Sequence, residues 1–161
     1  AEIIAAAEEK GIPVRFIREE ERFHLTREGD TVTVLPPMAE EGTANELGLT
    51  VLVSHKTLDV LITGDMETEG ERRLVETADL PDVEVLVAGH HGSNTSNTRE
   101  LLETVRPELA LISVGQNNKY GHPGWDALAR LDEIGAKIYR TDLYGTIEVR
   151  MKQGDDYAAE K

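Results

Sequence analysis

The chain has 161 residues, enough for one domain or a large part of one, and 39% of them are hydrophobic, so a globular core is within reach. It has no cysteine, which excludes disulfides, thiolate metal sites and cysteine nucleophiles and leaves imidazole and carboxylate as metal donors. Acids outnumber bases 31 to 17 for a net charge of −14, which argues against a passive nucleic-acid binder; a nuclease stays open, because a bound metal inverts the field around its own site.

Ala1 to Lys10 reads as a helix rich in Ala and Glu, ended by Gly11. Its apolar run is too short and too broken by acids for a membrane span or a signal peptide, so the chain is expected to be soluble. Ile12 to Ile17 reads as a strand, and a charged stretch follows to Arg22. A turn at Glu28-Gly29-Asp30 leads into a β-branched strand, Thr31 to Leu35, stopped by Pro36-Pro37. Met38 to Ala44 is a loop. Leu47 to Ser54 and Leu58 to Thr63 read as two strands joined by a hairpin at His55-Lys56-Thr57. Glu67 to Thr77 reads as a helix with Leu74 and Val75 inward and its acids outward.

From there strands and helices alternate. Strands are expected at Val83 to Ala88, Leu109 to Val114, Lys137 to Arg140 and Thr146 to Val149. Helices are expected at Thr98 to Val105 and Trp125 to Ile134. The tail after Met151 is polar and expected to fray. Early hairpins followed by strand–helix alternation predict an α/β fold with a mixed β-sheet. No earlier strand precedes residue 1 to pair with 12–17, so the N-terminus reads as a cut within a domain.

Three polar features directly follow apolar strands, where sites collect in open α/β sheets. Asp65, after Thr63-Gly64, is either a metal carboxylate or the N-cap of the next helix, with Thr68 as an alternative cap. His90 and His91, between Gly89 and Gly92, read as adjacent strand residues that point to opposite faces and so do not ligate one ion equivalently. One is then a metal ligand, and the other supports it or the sheet–loop junction. Ser93, Asn94, Thr95, Ser96 and Asn97 form a hydroxyl- and amide-rich loop able to bind an oxyanion, and Ser96 to Thr98 offer caps. The loop from Gly115 to Pro123 holds Asn118, Lys119, Tyr120 and His122: Lys119 suits a phosphate, and His122 suits proton transfer near neutrality. The plainer reading of that loop is a helix cap with Trp125 packed below. His24 and His55 read as solvated, and Asp142 as a cap or wall. Asp65 plus one histidine makes two ligands, whereas a hydrolytic site needs about three and an open position.

Leu58 to Asp65, Val85 to Ser93, Leu111 to Pro123 and Ala136 to Asp142 with Gly145-Thr146 together resemble the metallo-β-lactamase-like domain of ComEC-type competence proteins, over roughly residues 31 to 150. The resemblance implies an αββα sandwich of which residues 1–151 form the C-terminal portion and 152–161 a polar tail. It implies a hydrolase with one or two metal ions, zinc or manganese. Similar domains lie extracytoplasmically at the end of a polytopic membrane protein that forms the DNA-uptake channel, and are thought to degrade the strand that is not imported. Single-stranded DNA, the membrane channel domain and the N-terminal half of the same domain are the partners so implied. Residue by residue, Asp65 matches the bridging metal carboxylate. His90-His91 match the late histidine motif, with His90 favoured over His91 as ligand. His122 matches the Gly-His-Pro loop near the scissile phosphate, and Asn45 an Asn before the hairpin.

The family's His-x-His-x-Asp-His motif is absent, and Gly48 and Thr50 stand where a Ser is usual, so the chain alone is expected to be weakly active or inactive. A free-standing hydrolase of small esters or phosphoesters and a non-catalytic structural fragment are the competing readings.

Overall fold

β-Branched, alternating runs build a sheet whose strands lie side by side in the order of the chain. The computed structural model describes residues 2–25, 29–151 and 157–160. In it, β1 (Glu21–His24), β2 (Thr31–Leu35), β3 (Thr50–His55) and β4 (Leu58–Ile62) form an antiparallel meander. β5 (Val85–Val87), β6 (Leu109–Ile112) and β7 (Lys137–Arg140) then add in parallel to β4. The crossovers are α2 (Thr68–Thr77), α3 (Arg99–Val105) and α4 (Trp125–Glu133). Strands that step in one direction through right-handed crossovers place every helix on the same face of the sheet. The main core follows from this: Leu35, Leu52, Leu61, Leu86, Ala110 and Ile112 of the sheet pack with Leu74, Leu101, Leu102, Val105 and Leu131 of the helices.

The opposite face is covered only in part. β8 (Glu148–Met151) and β9 (Tyr157–Glu160) form an antiparallel ribbon. It packs Ile147, Val149, Tyr157 and Ala159 on Val85, Leu109 and Tyr139. Across β1 to β3 that same face carries Phe23, Val32, Val34, Val51 and Val53, in register with one another and none of them buried.

The α/β class and the mixed sheet are as expected. Several boundaries and orientations differ. α1 (Glu2–Glu9) forms but buries no residue. Residues 12–17 pair with nothing in the sheet, and Ile12, Val14 and Phe16 are exposed; the neighbour of β2 is instead the charged β1. The ladder decides a strand, and here it lies four residues beyond the apolar run. β3 starts at Thr50, with Leu47 and Leu49 exposed ahead of it. The turn expected at 28–30 falls partly on residues outside those described. Glu71, expected outside, is fully buried. The last strand begins at Glu148, and the end of the expected frayed tail is β9; residues 152–156 lie outside the described set. No helix among the described residues is long and apolar enough to cross a membrane.

Candidate metal centre

The C-terminal ends of the parallel strands deliver all three polar features to one edge of the sheet. β4 ends in Thr63-Gly64-Asp65, β5 in the histidine pair, and β6 in the 113–123 loop. A backbone bond fastens the first two: His90 N–H donates to Gly64 O at 2.8 Å. Another joins the second to the third, from Gly124 N–H to Gly92 O at 2.8 Å.

The histidine pair is not on a strand. Gly89–Gly92 is a short 3-10 turn, and His90 and His91 both adopt the left-handed conformation, with φ of 49° and 55°. Strand alternation therefore does not separate their side chains; the turn does. His91 donates Nδ1–H to Ser113 O at 2.7 Å, which leaves Nε2 with its lone pair free, and that nitrogen sits 3.8 Å from Asp65 Oδ1. His90 turns toward Glu67, its Nδ1 3.6 Å from Oε1, too long for a hydrogen bond, so this buried nitrogen has no hydrogen-bond partner among the described residues. Its ring centroid lies 5.5 Å from that of His122. Burial, and then the neighbouring His90 and His91, push the His122 imidazole below the ordinary histidine value, with Asp65 opposing.

Asp65 is half exposed and does not cap α2, whose N-cap is Glu67 with no side-chain bond; Thr68 donates instead to Thr95 O. The 93–97 loop spends its polar groups inside the protein. Ser93 and Thr95 share a hydroxyl bond, Asn94 Oδ1 caps α4 by accepting from Asp126 and Ala127 N–H, and Ser96, fully buried, donates to Met66 O. Thr98 caps α3. Asn118 is likewise engaged within its own loop, accepting from Tyr120 and His122 N–H and donating to Gly115 and His122 O. Lys119 Nζ lies 5.2 Å over the ring of exposed Tyr120, and Tyr120 stacks on His122. A cleft of about 390 Å³ opens between His91, Ser113, Asn118, Tyr120, His122 and Thr141.

Trp125 does not pack below this loop; it is 85% exposed. Away from the site, His24 is exposed, whereas His55 is held by Asp30 at 2.5 Å. Asp142 is engaged by Arg140 through two bonds. Glu67, bonded by Asn45 at 3.3 Å, and Ser113 belong to the site and were missed by sequence reasoning: Glu67 stands in no motif, and Ser113, although inside the Leu111 to Pro123 motif, contributes a backbone carbonyl that its side chain does not announce.

The donors fit part of a metal site. Asp65 Oδ1 and a lone-pair nitrogen converge, and the histidine is oriented through its other nitrogen by a carbonyl, the usual support for a metal-bound imidazole. Among the described residues no three His, Asp or Glu side chains close on one point, so the donor number is short.

No family model matches the chain. Among curated proteins it is 29% identical to ComE operon protein 3 of Bacillus subtilis over 93% of this chain and 19% of that protein. It is 42% identical to competence protein ComA of Neisseria gonorrhoeae over 59% of this chain and 14% of that one. It is 35% identical to recombination protein 2 of Haemophilus influenzae over 68% and 14%. The chain thus spans less than a fifth of the length of these relatives.

Proposed function

Since this chain is homologous to a stretch of the ComEC-type competence proteins, we propose that it carries part of the metal centre of a phosphodiester hydrolase acting in DNA uptake. The observation behind this reading is the convergence of Asp65 Oδ1 and the free Nε2 of His91, with His91 anchored through Nδ1. That geometry favours His91 over His90 as the imidazole donor. The remaining donors come, in this reading, from a further segment of the same domain, which packs on the aliphatic face of β1 to β3 and completes the metallo-β-lactamase-like sandwich. The domain sits outside the cytoplasm, beside the membrane channel of its parent, and takes single-stranded DNA.

Zinc or manganese, when bound, would lower the pKa of a coordinated water and polarise a phosphate oxygen. Asp65 and His91 would hold it. His122, its imidazole held below the ordinary histidine value, accepts or relays a proton at its ring nitrogen beside the cleft. Lys119, next to the exposed Tyr120, places a cation at the rim where a phosphate would lie, and Tyr120 offers a ring for a base to stack on.

Titration of the chain with Mn2+ and Zn2+ by calorimetry, beside Asp65→Ala and His91→Ala, tests the centre. Binding lost in both variants supports it; binding unchanged in Asp65→Ala overturns it. Cleavage assays on single-stranded DNA and on a small phosphodiester follow. The cleft lining carries no Lys or Arg among the described residues, and this favours a second reading, a hydrolase of small esters or phosphoesters. Turnover of the small diester without DNA cleavage would select it.

A further inference from the structure

The loop behind the two histidines is gripped from both sides by opposite charges that the chemistry above does not use. Glu71, on α2, is fully buried. Its Oε1 accepts Asn97 N–H at 2.6 Å and its Oε2 accepts Thr98 N–H at 2.7 Å. From α4, Arg130 donates Nε–H to Asn97 O at 2.7 Å, and Nη2 to Asn94 O at 2.9 Å and Ser96 O at 2.8 Å. The loop therefore gives N–H groups to a carboxylate and carbonyls to a guanidinium.

Asn97, also fully buried, carries that grip back to the histidines. Its Oδ1 accepts Gly89 N–H at 2.9 Å, and its Nδ2 donates to Gly89 O at 3.0 Å. Gly89 has no room for a side chain: a Cβ there would lie 2.9 Å from Thr63 Oγ1 and 3.4 Å from Glu71 Oε1. The next two residues are His90 and His91, consecutive and left-handed, a conformation that side-chain-bearing residues hold only where their surroundings impose it. A buried carboxylate is a costly way to tie down a connection that an apolar residue could pack against.

We propose that Glu71 is a positioning residue: opposed by Arg130 and acting through Asn97, it fixes Gly89 and so sets the left-handed histidine pair in the orientation that brings His91 Nε2 to Asp65. The role in metal binding rests on the reading of His91 as a donor; the positioning itself does not.

The test compares wild type, Glu71→Gln and Arg130→Met with Leu74→Val, which loosens the core from the same helix and removes none of the loop's hydrogen bonds. Glutamine keeps the size of Glu71 but sets an NH2 group against one of the two backbone donors. The readouts are the ring nitrogen resonances of His90 and His91 in the metal-free protein, Zn2+ affinity, and Tm. Both loop variants are expected to shift the His90 and His91 resonances and weaken Zn2+ by about 10- to 100-fold, while Leu74→Val lowers Tm and does neither. Unchanged resonances in both loop variants, or an equal change in Leu74→Val, would overturn the proposal. If Glu71→Gln does not fold, Arg130→Met decides. If wild type binds no Zn2+, the two donors do not hold the ion without the further segment, and the ring resonances alone decide the positioning.

Discussion

Thr63, immediately after β4, has a buried hydroxyl with no hydrogen-bond partner among the described residues, directly beneath Gly89. A buried unpaired hydroxyl costs free energy that an isosteric methyl does not. Thr63→Val should therefore raise the unfolding free energy by about 1 kcal/mol in urea titrations; a loss of that size would mean the hydroxyl is used. Gly92 is the reverse case. Its φ is +77°, and a Cβ would lie 2.7 Å from that of Pro123, so Gly92→Ala combines backbone strain with a clash against the His122 loop. It should cost about 1–3 kcal/mol, read in the same titration. At His91 the bond to Ser113 O selects the tautomer protonated on Nδ1. Long-range nitrogen–proton spectra at pH 8 should show that tautomer, and His91 protonated on Nε2 would remove the argument for a free lone pair facing Asp65.

At the scale of elements, Glu71 couples α2 to the pH of the solution. Burial pushes its carboxyl above the ordinary value of 4.5, while the Thr98 and Asn97 N–H groups and Arg130 pull against that. The folded state then holds the proton more tightly than the unfolded chain. Its contribution is full below pH 4.5 and is lost as pH rises through the raised folded value. The stability difference between wild type and Glu71→Gln should accordingly fall as pH rises above 4.5; a difference that grows with pH would mean the hydrogen bonds outweigh burial. This residue also marks where sequence reading stops. The periodicity of α2 places Leu74 in the core, but Glu71 enters the same face because its partners, Asn97 and Thr98, come from 26 and 27 residues away, beyond any local pattern. The parallel strands were legible from their apolar runs and the polar residues that end them. The left-handed histidine pair was not, because its backbone is imposed by the Asn97 clamp on Gly89 rather than by the residues themselves. Residues 12–17 misled for a related reason: they are apolar enough for a strand but have no ladder partner.

At the scale of the whole molecule, the two faces of the sheet are unequal. Leu52 on β3 is 8% exposed beneath the helices, while its neighbour Val53 points to the other face, level with Val32 on β2 and beyond the reach of the β8–β9 ribbon. Val32, Val34, Val51 and Val53 are half-buried and Phe23 is exposed, so this row, held in register across three strands, is a contiguous patch that is only partly covered, and such patches are usually completed by something. With both valines half-buried in this chain, Val34→Thr with Val53→Thr should cost about 1–2 kcal/mol. Leu52→Ala should cost about 2–5 kcal/mol. The valine pair should also lower the fluorescence of a bound hydrophobic dye. In a protein that carries the further segment proposed above, the same pair should cost more and weaken metal binding, since a segment packed there would carry the missing donors. Equal costs for the pair in the two contexts would mean that nothing else docks on this face, and the donors that complete Asp65 and His91 would have to reach the site by another route.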